Sequence, residues 1–159
     1  MSRLATALAT LGGLGRIPFA PGSWGSLLAI FLVPALLDWL GSVGFALATL
    51  AVAVIGIWAA GKHERTSGRH DGSEIVIDEL AGQWATVLPL LFFDAVLPAL
   101  LDYLLAFLLF RLFDIWKPWP IGRLDATVPG GLGTMLDDLV AAIPAGALLV
   151  LLHFFVFLR

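Results

Sequence analysis

Apolar runs divide this sequence more decisively than anything else in it. Five of them, Trp24 to Leu40, Val43 to Ala60, Ile75 to Phe93, Leu97 to Trp116 and Leu136 to Leu158, take up most of the 159 residues. About 20 apolar residues are what a helix needs to cross the hydrocarbon core of a bilayer, and only the first run is somewhat short for that. Composition agrees, with 60% hydrophobic residues, 13% charged and a mean hydropathy of +0.97. Ordinary globular chains are roughly half apolar and a quarter charged. The predicted fold class is all-α, an integral membrane helical bundle of about five hydrophobic helices forming a single domain over residues 1–159. At this length no separate soluble domain fits beside it. Met1 to Gly15 contains a further apolar run, Leu4 to Leu11, which is at the short end for a signal-peptide core and lacks a convincing cleavage site. An interfacial or re-entrant helix is expected there.

The connections are short at Asp38 to Ser42 and Asp94 to Val96, and long at Gly61 to Glu74 and Lys117 to Met135. Lys and Arg accumulate in cytoplasmic loops. Arg3, Arg16, Lys62, Arg65, Arg69, Lys117 and Arg123 all fall on one side and Arg159 alone on the other, so the N-terminus and both long loops are predicted to be cytoplasmic and the C-terminus outside. The same placement puts Asp78, Glu79, Asp114, Asp137 and Asp138 at cytoplasmic helix ends, where they can converge. Asp38, Asp94 and the deeper Asp102 remain scattered singly on the far side. The prediction is one polar site at one membrane face.

Three constellations carry the chemistry. In IVIDELAGQW, Ile75 to Trp84, helical spacing puts Asp78, Ala81, Gly82 and Ala85 on one face, where small residues admit a neighbouring helix and Asp78 points into the bundle. Glu79 lies about 100 degrees round the helix. In TMLDDLVAA, Thr134 to Ala142, Asp137 and Asp138 sit in the first turn of a helix, where a carboxylate either caps exposed N–H groups or binds a metal. Spacing alone does not say which of the two faces inward. In RLFDIWKPWP, Arg111 and Asp114 are i, i+3 neighbours fit for an internal ion pair. Trp116 and Trp119 read as interfacial belt residues, and Lys117 either snorkels to the headgroups or meets an anionic substrate. Ionisable groups at membrane depth are costly and mark function by default. Carboxylates without Cys or His favour a hard cation, Mg²⁺ or Ca²⁺.

In IPFAPGSWGSLLA, Ile17 to Ala29, Pro21 and Gly22 read as a turn and Ser23 as the N-cap of the first helix, whose N–H groups would suit a phosphate. The absence of cysteine excludes disulfides, Cys-ligated metals and thiol nucleophiles. His63 and His70, in a polar loop, and His153, in the last helix, have no ligand-type partner at useful spacing and read as solvated or buried bundle histidines.

Four stretches in order, APGSWGSLLA (Ala20 to Ala29), EIVIDELAGQW (Glu74 to Trp84), FRLFDIWKPWPI (Phe110 to Ile121) and GGLGTMLDDLVAA (Gly130 to Ala142), resemble the phosphatidylglycerophosphatase A family. These are membrane lipid phosphatases that convert phosphatidylglycerophosphate to phosphatidylglycerol. The resemblance runs through essentially the whole chain, and the WKPWPI and DE...G-W blocks are its specific parts. It implies a Mg²⁺-dependent phosphatase with its site at the cytoplasmic face of a bacterial inner membrane. It also implies catalytic roles for Asp78, Glu79, Asp114, Asp137 and Asp138, with Mg²⁺ held by Asp78, Glu79, Asp114 and Asp137. Arg111 and Lys117 would neutralise the phosphate, with Ser23 and Ser26 as further substrate contacts. Pro129, Thr134 and Ala142 depart from the family's pattern and bear on packing more than on ligands. The expected partner is a phospholipid substrate in the membrane and not nucleic acid. An ion channel or transporter would need a carboxylate-lined path through a whole span, and apart from Asp102 the polar residues stop near one end. Another metal-dependent phospholipid headgroup enzyme, of the CDP-alcohol phosphotransferase type, would carry a DG...AR...G...D...D array that is absent.

Overall fold

A computed structural model describes residues 2–69, 72–93 and 100–157, and every regular element among them is helical. The helices are α1 (Ser2–Ala9), a short 3-10 segment (Leu11–Arg16), α2 (Pro21–Ser67), α3 (Ile77–Phe93), α4 (Leu100–Trp116), α5 (Ile121–Thr127) and α6 (Gly130–Phe157). The expected connection at Asp94 to Val96, with His70, Leu158 and Arg159, lies outside the described residues. Two helices, Pro21–Ser67 and Gly130–Phe155, are long and apolar enough to cross a membrane. Helices α3 and α4 have 17 residues each, about 25 Å at the α-helical rise.

The first two apolar runs belong to one 47-residue element broken at Gly41, which has φ 67 and ψ 176. An L side chain rarely adopts that conformation, so glycine supplies the break. Both ends of α2 reach the same end of the bundle, Gly22 against Glu79 and Gly61 against Gly131, so the chain doubles back at Gly41. The loop expected from Gly61 is helical to Ser67, because Ala59, Ala60, Gly61, His63 and Glu64 are buried against the rest of the fold. His63 is correspondingly no solvated histidine: it contacts Thr6 Oγ1 at 3.1 Å and Glu74 Oε1 at 3.0 Å. The expected Lys117 to Met135 loop contains α5, and α6 starts six residues before Leu136. The N-terminal segment packs on α2, and Ala9 accepts a backbone hydrogen bond from Val76 at 2.9 Å.

Helix α3 sits between the two arms of α2 and α6. Trp84 packs against Phe45, with ring centroids 5.5 Å apart, and donates its indole N–H to Ala29 O at 2.9 Å, tying both arms to α3. The small face predicted on α3 is used by α6: a Cβ on Gly82 would lie 3.0 Å from Asp138 O and 2.6 Å from the Phe110 ring. That close approach sets the depth at which α6 presents its aspartates.

Far from those aspartates, His153 Nδ1 lies 2.9 Å from Asp102 Oδ1, with both side chains buried. Neither residue stands alone, as their sequence spacing suggested, because α4 and α6 pack side by side. Replacing His153 by Leu removes a partner of the buried Asp102 carboxylate and is expected to lower stability by about 2–4 kcal/mol. Denaturant unfolding in detergent reads this, and a loss under about 0.5 kcal/mol would show that the pair is not a structural clasp.

Candidate active site

Three helix ends and α6, whose aspartates lie about two turns inside the helix rather than in its expected first turn, converge on one cavity of about 350 Å³. The first turn of α3 brings Asp78 and Glu79, the last turns of α4 bring Arg111 and Asp114, α6 brings Asp137 and Asp138, and the start of α2 brings Pro21 and Gly22. Asp78 and Glu79 occupy the N-terminal turn of α3, where the helix dipole favours negative charge. Lys117 follows α4 at φ 44, with its N–H donating to Phe113 O at 2.9 Å. This left-handed turn costs about 1 kcal/mol or more for a non-glycine residue. It reverses the chain and brings the Lys117 ammonium to Asp137 and Asp125.

Each cation is already matched. Arg111 Nη1 lies 2.5 Å from Asp114 and 3.5 Å from Glu79, so the i, i+3 pair anticipated in the sequence forms and extends to α3. Lys117 Nζ lies 2.7 Å from Asp137 and 3.1 Å from Asp125. Burial alone would push the Lys117 pKa down. The hydrogen bond and charge of Asp137, and then those of Asp125, outweigh it and hold the group above the ordinary lysine value. The ammonium therefore stays charged throughout the physiological range.

Asp78, Glu79 and Asp138 offer carboxylate oxygens that all lie within 4.8 Å of one another. Among the described residues, Glu79 Oε2 and Asp138 Oδ2 are buried without a hydrogen-bond partner. Bare buried anions are costly, and a compact all-oxygen trio fits a hard divalent cation. The trio differs from the sequence-based set, since Asp138 stands where Asp114 and Asp137 were expected. Adjacent residues on a helix point about 100 degrees apart. The close contact of α6 with α3 at Gly82 turns Asp138 toward the trio and leaves Asp137 to Lys117, while Asp114 is taken by Arg111.

The two serines are placed differently from the expectation. Helix α2 starts at Pro21 with Ala20 at its N-cap, so Ser23 lies inside the helix and caps nothing. Ser26 is buried, with its hydroxyl donated to Gly22 O at 3.0 Å. Neither lines the cavity. Sequence reasoning missed Asp125, which helps hold Lys117, and the function of Gly22. A Cβ on Gly22 would lie 1.9 Å from Glu79 Oε1 and 3.0 Å from Arg111 Nη1. It also missed Gln83, one turn beyond Glu79, fully buried with neither amide atom hydrogen-bonded among the described residues. Its position four residues after Glu79 is the signal that would have drawn notice.

The profile of the phosphatidylglycerophosphatase A family matches residues 7–153, which include every residue of this cavity. The chain belongs to the phosphatidylglycerophosphatase A family. It is 35% identical over 139 residues to phosphatidylglycerophosphatase A of Escherichia coli, covering 86% of this chain and 76% of that one. It is 39% identical over 135 residues to the Haemophilus influenzae protein of the same name, covering 84% and 78%. A Bacteroides thetaiotaomicron protein named putative phosphatidylinositol-3-phosphatase is 38% identical over 146 residues, covering 89% of each chain. No solved structure matches the chain. Two carboxylates anchor the Lys117 ammonium at the cavity. Lys117→Met leaves Asp137 and Asp125 without their shared ammonium, and kcat/KM for phosphate release is expected to fall about tenfold or more. Unchanged kcat/KM would show that the ammonium does not meet the substrate.

Proposed function

We propose that this chain is a Mg²⁺-dependent lipid phosphatase that hydrolyses the terminal phosphomonoester of phosphatidylglycerophosphate, giving phosphatidylglycerol and phosphate at the cytoplasmic face of a bacterial inner membrane. The observation that carries this reading is the carboxylate trio flanked, in one cavity, by two carboxylate-held cations. The names of the Escherichia coli and Haemophilus influenzae relatives support the headgroup.

Asp78, Glu79 and Asp138 would hold the metal. When bound, Mg²⁺ supplies polarisation of the phosphoryl oxygens and acidifies a water. Arg111 and Lys117 exchange their carboxylate contacts for phosphate oxygens, so charge developing in transfer meets donors already in place. Asp114 and Asp137, released by that exchange, line the same cavity and are the carboxylates available to take the proton of the attacking water. The phosphorus–ester oxygen bond breaks as the water oxygen attacks, and the glycerol oxygen leaves as an alcohol by taking up the proton that the carboxylate received from the water.

A membrane bundle supports substrate access. The two arms of α2 are about 30 and 39 Å long, enough for two spans, with α3, α4 and α6 as the other three. Phe31, Trp39, Leu47, Leu50, Leu104, Leu108 and Leu151 are exposed on outer faces, as lipid contact requires. The basic residues cluster toward the cavity, which favours a cytoplasmic site. An ion path is disfavoured because the apolar side chains of Leu80, Trp84, Val87, Leu109, Phe110 and Ala145 pack between the cavity and the Asp102–His153 pair.

The deciding assay is phosphate release from phosphatidylglycerophosphate in detergent micelles, with Mg²⁺ and with EDTA. Release that stops in EDTA and returns with Mg²⁺ is expected. Release indifferent to EDTA would remove the metal from the mechanism, and no release from folded protein would remove the substrate.

A further inference from the structure

The carboxylate cavity has a neighbour. Pro21, Gly72 and Ser73 line it and also line a second cavity of about 320 Å³, whose charged residues among those described are Arg16, Arg69 and Glu74. The shared wall is firmly held. Val76 N–H donates to Ala9 O at 2.9 Å, Ile75 N–H closes a turn onto Gly72 O at 2.8 Å, and Gly15 packs so closely that a Cβ would lie 1.9 Å from Glu74 O. Glu74 orients Arg16 through its Nε at 3.6 Å, leaving the two terminal nitrogens available, while its other oxygen meets His63 at 3.0 Å. The Arg69 guanidinium has no ion pair among the described residues. Among the described residues two guanidiniums thus share one carboxylate, whereas in the carboxylate cavity every cation is matched by acids. The balance favours an anion, and guanidinium geometry suits the oxygens of a phosphate.

We propose that the Arg16–Arg69 cavity is a second phosphate subsite, contiguous with the carboxylate cavity. The assignment rests on the lipid phosphatase reading for its ligand class. That chemistry has two sources: the internal phosphodiester of a two-phosphate headgroup, held while the terminal monoester occupies the carboxylate cavity, or the inorganic phosphate leaving after hydrolysis. The first makes Arg16 and Arg69 specificity residues, and the second makes them an exit.

The test uses Arg16→Gln and Arg69→Gln in the full chain. Arg69→Gln breaks no ion pair among the described residues, so it stays informative if loss of the Arg16–Glu74 contact harms folding. Calorimetric binding of inorganic phosphate needs no turnover and is read first. KM is then compared for phosphatidylglycerophosphate and for phosphatidic acid, which has a monoester and no internal phosphodiester. A KM raised about tenfold for the two-phosphate lipid alone supports the headgroup source. Phosphate binding weakened about tenfold, with neither KM changed, supports the exit. The subsite is overturned if both variants keep phosphate affinity and both KM values within about twofold of wild type, or if KM rises equally for the two lipids. Phosphate binding that depends on Arg69 in a protein with no lipid phosphatase activity would overturn the proposed function and leave the subsite standing.

Discussion

Asp138→Asn is expected to lower phosphate release by about 10³-fold or more while leaving the fold intact. Asn keeps the volume of the side chain and removes one of three negative charges whose oxygens lie within 4.8 Å of one another. Its effect on folding is therefore small or favourable, since mutual repulsion among buried carboxylates falls. Its effect on cation affinity is severe, because an amide oxygen does not replace an ionised ligand. Two readouts separate these consequences. Thermal unfolding in EDTA should be no earlier than in wild type, and the upward shift on adding Mg²⁺ that is expected of wild type should be lost. A variant that still gains stability from Mg²⁺ and turns over substrate near the wild-type rate would place the metal elsewhere. Asp137→Asn makes the informative comparison. Asp137 lies against Lys117 at 2.7 Å, so that variant should lose turnover through substrate positioning while retaining more of the Mg²⁺ shift.

Gly22→Ala is expected to cost about 10²-fold in kcat/KM, although helix propensity alone predicts stabilisation by up to about 1 kcal/mol. The position is inside α2, and in an isolated helix Ala is the better residue. In the fold, an added Cβ would lie 1.9 Å from Glu79 Oε1. One methyl must then displace a carboxylate of the Asp78–Glu79–Asp138 trio and the Arg111 that contacts it, and overpacking of this kind costs about 1–3 kcal/mol. Sterics therefore outweigh propensity. Measuring stability and turnover together distinguishes the terms: a more stable enzyme with full activity would mean that Glu79 moves aside freely and that its present position is unimportant.

The sequence anticipated that the acidic groups could converge, because helix ends follow from where apolar runs stop. Asp78, Glu79, Asp114, Asp137 and Asp138 all line one cavity, as their positions in the five runs implied. It could not rank Asp137 against Asp138, since both occupy one helix turn and only the contact of α6 with Gly82 fixes which faces the trio. It misread Ser23 as a cap because Pro-Gly-Ser suits a turn, whereas the helix already begins at Pro21. It also read Gly61 to Glu74 as a loop from polarity, and His63 and Glu64 are buried in a helix instead.

What the sequence by itself determined is what local and one-dimensional physics controls: helical runs, the apolar bulk, the positions of the charged residues along those runs and the family motifs. What only the tertiary structure decided is which charges meet. The doubling back at Gly41, the Arg111 bridge to Glu79, the Lys117 link to Asp125 and Asp137, and the distant Asp102–His153 pair all join residues on different elements or across a reversed turn. Spacing along one helix fixes only the face a side chain shares with its neighbours. The rotation and depth at which two helices pack fix its partner.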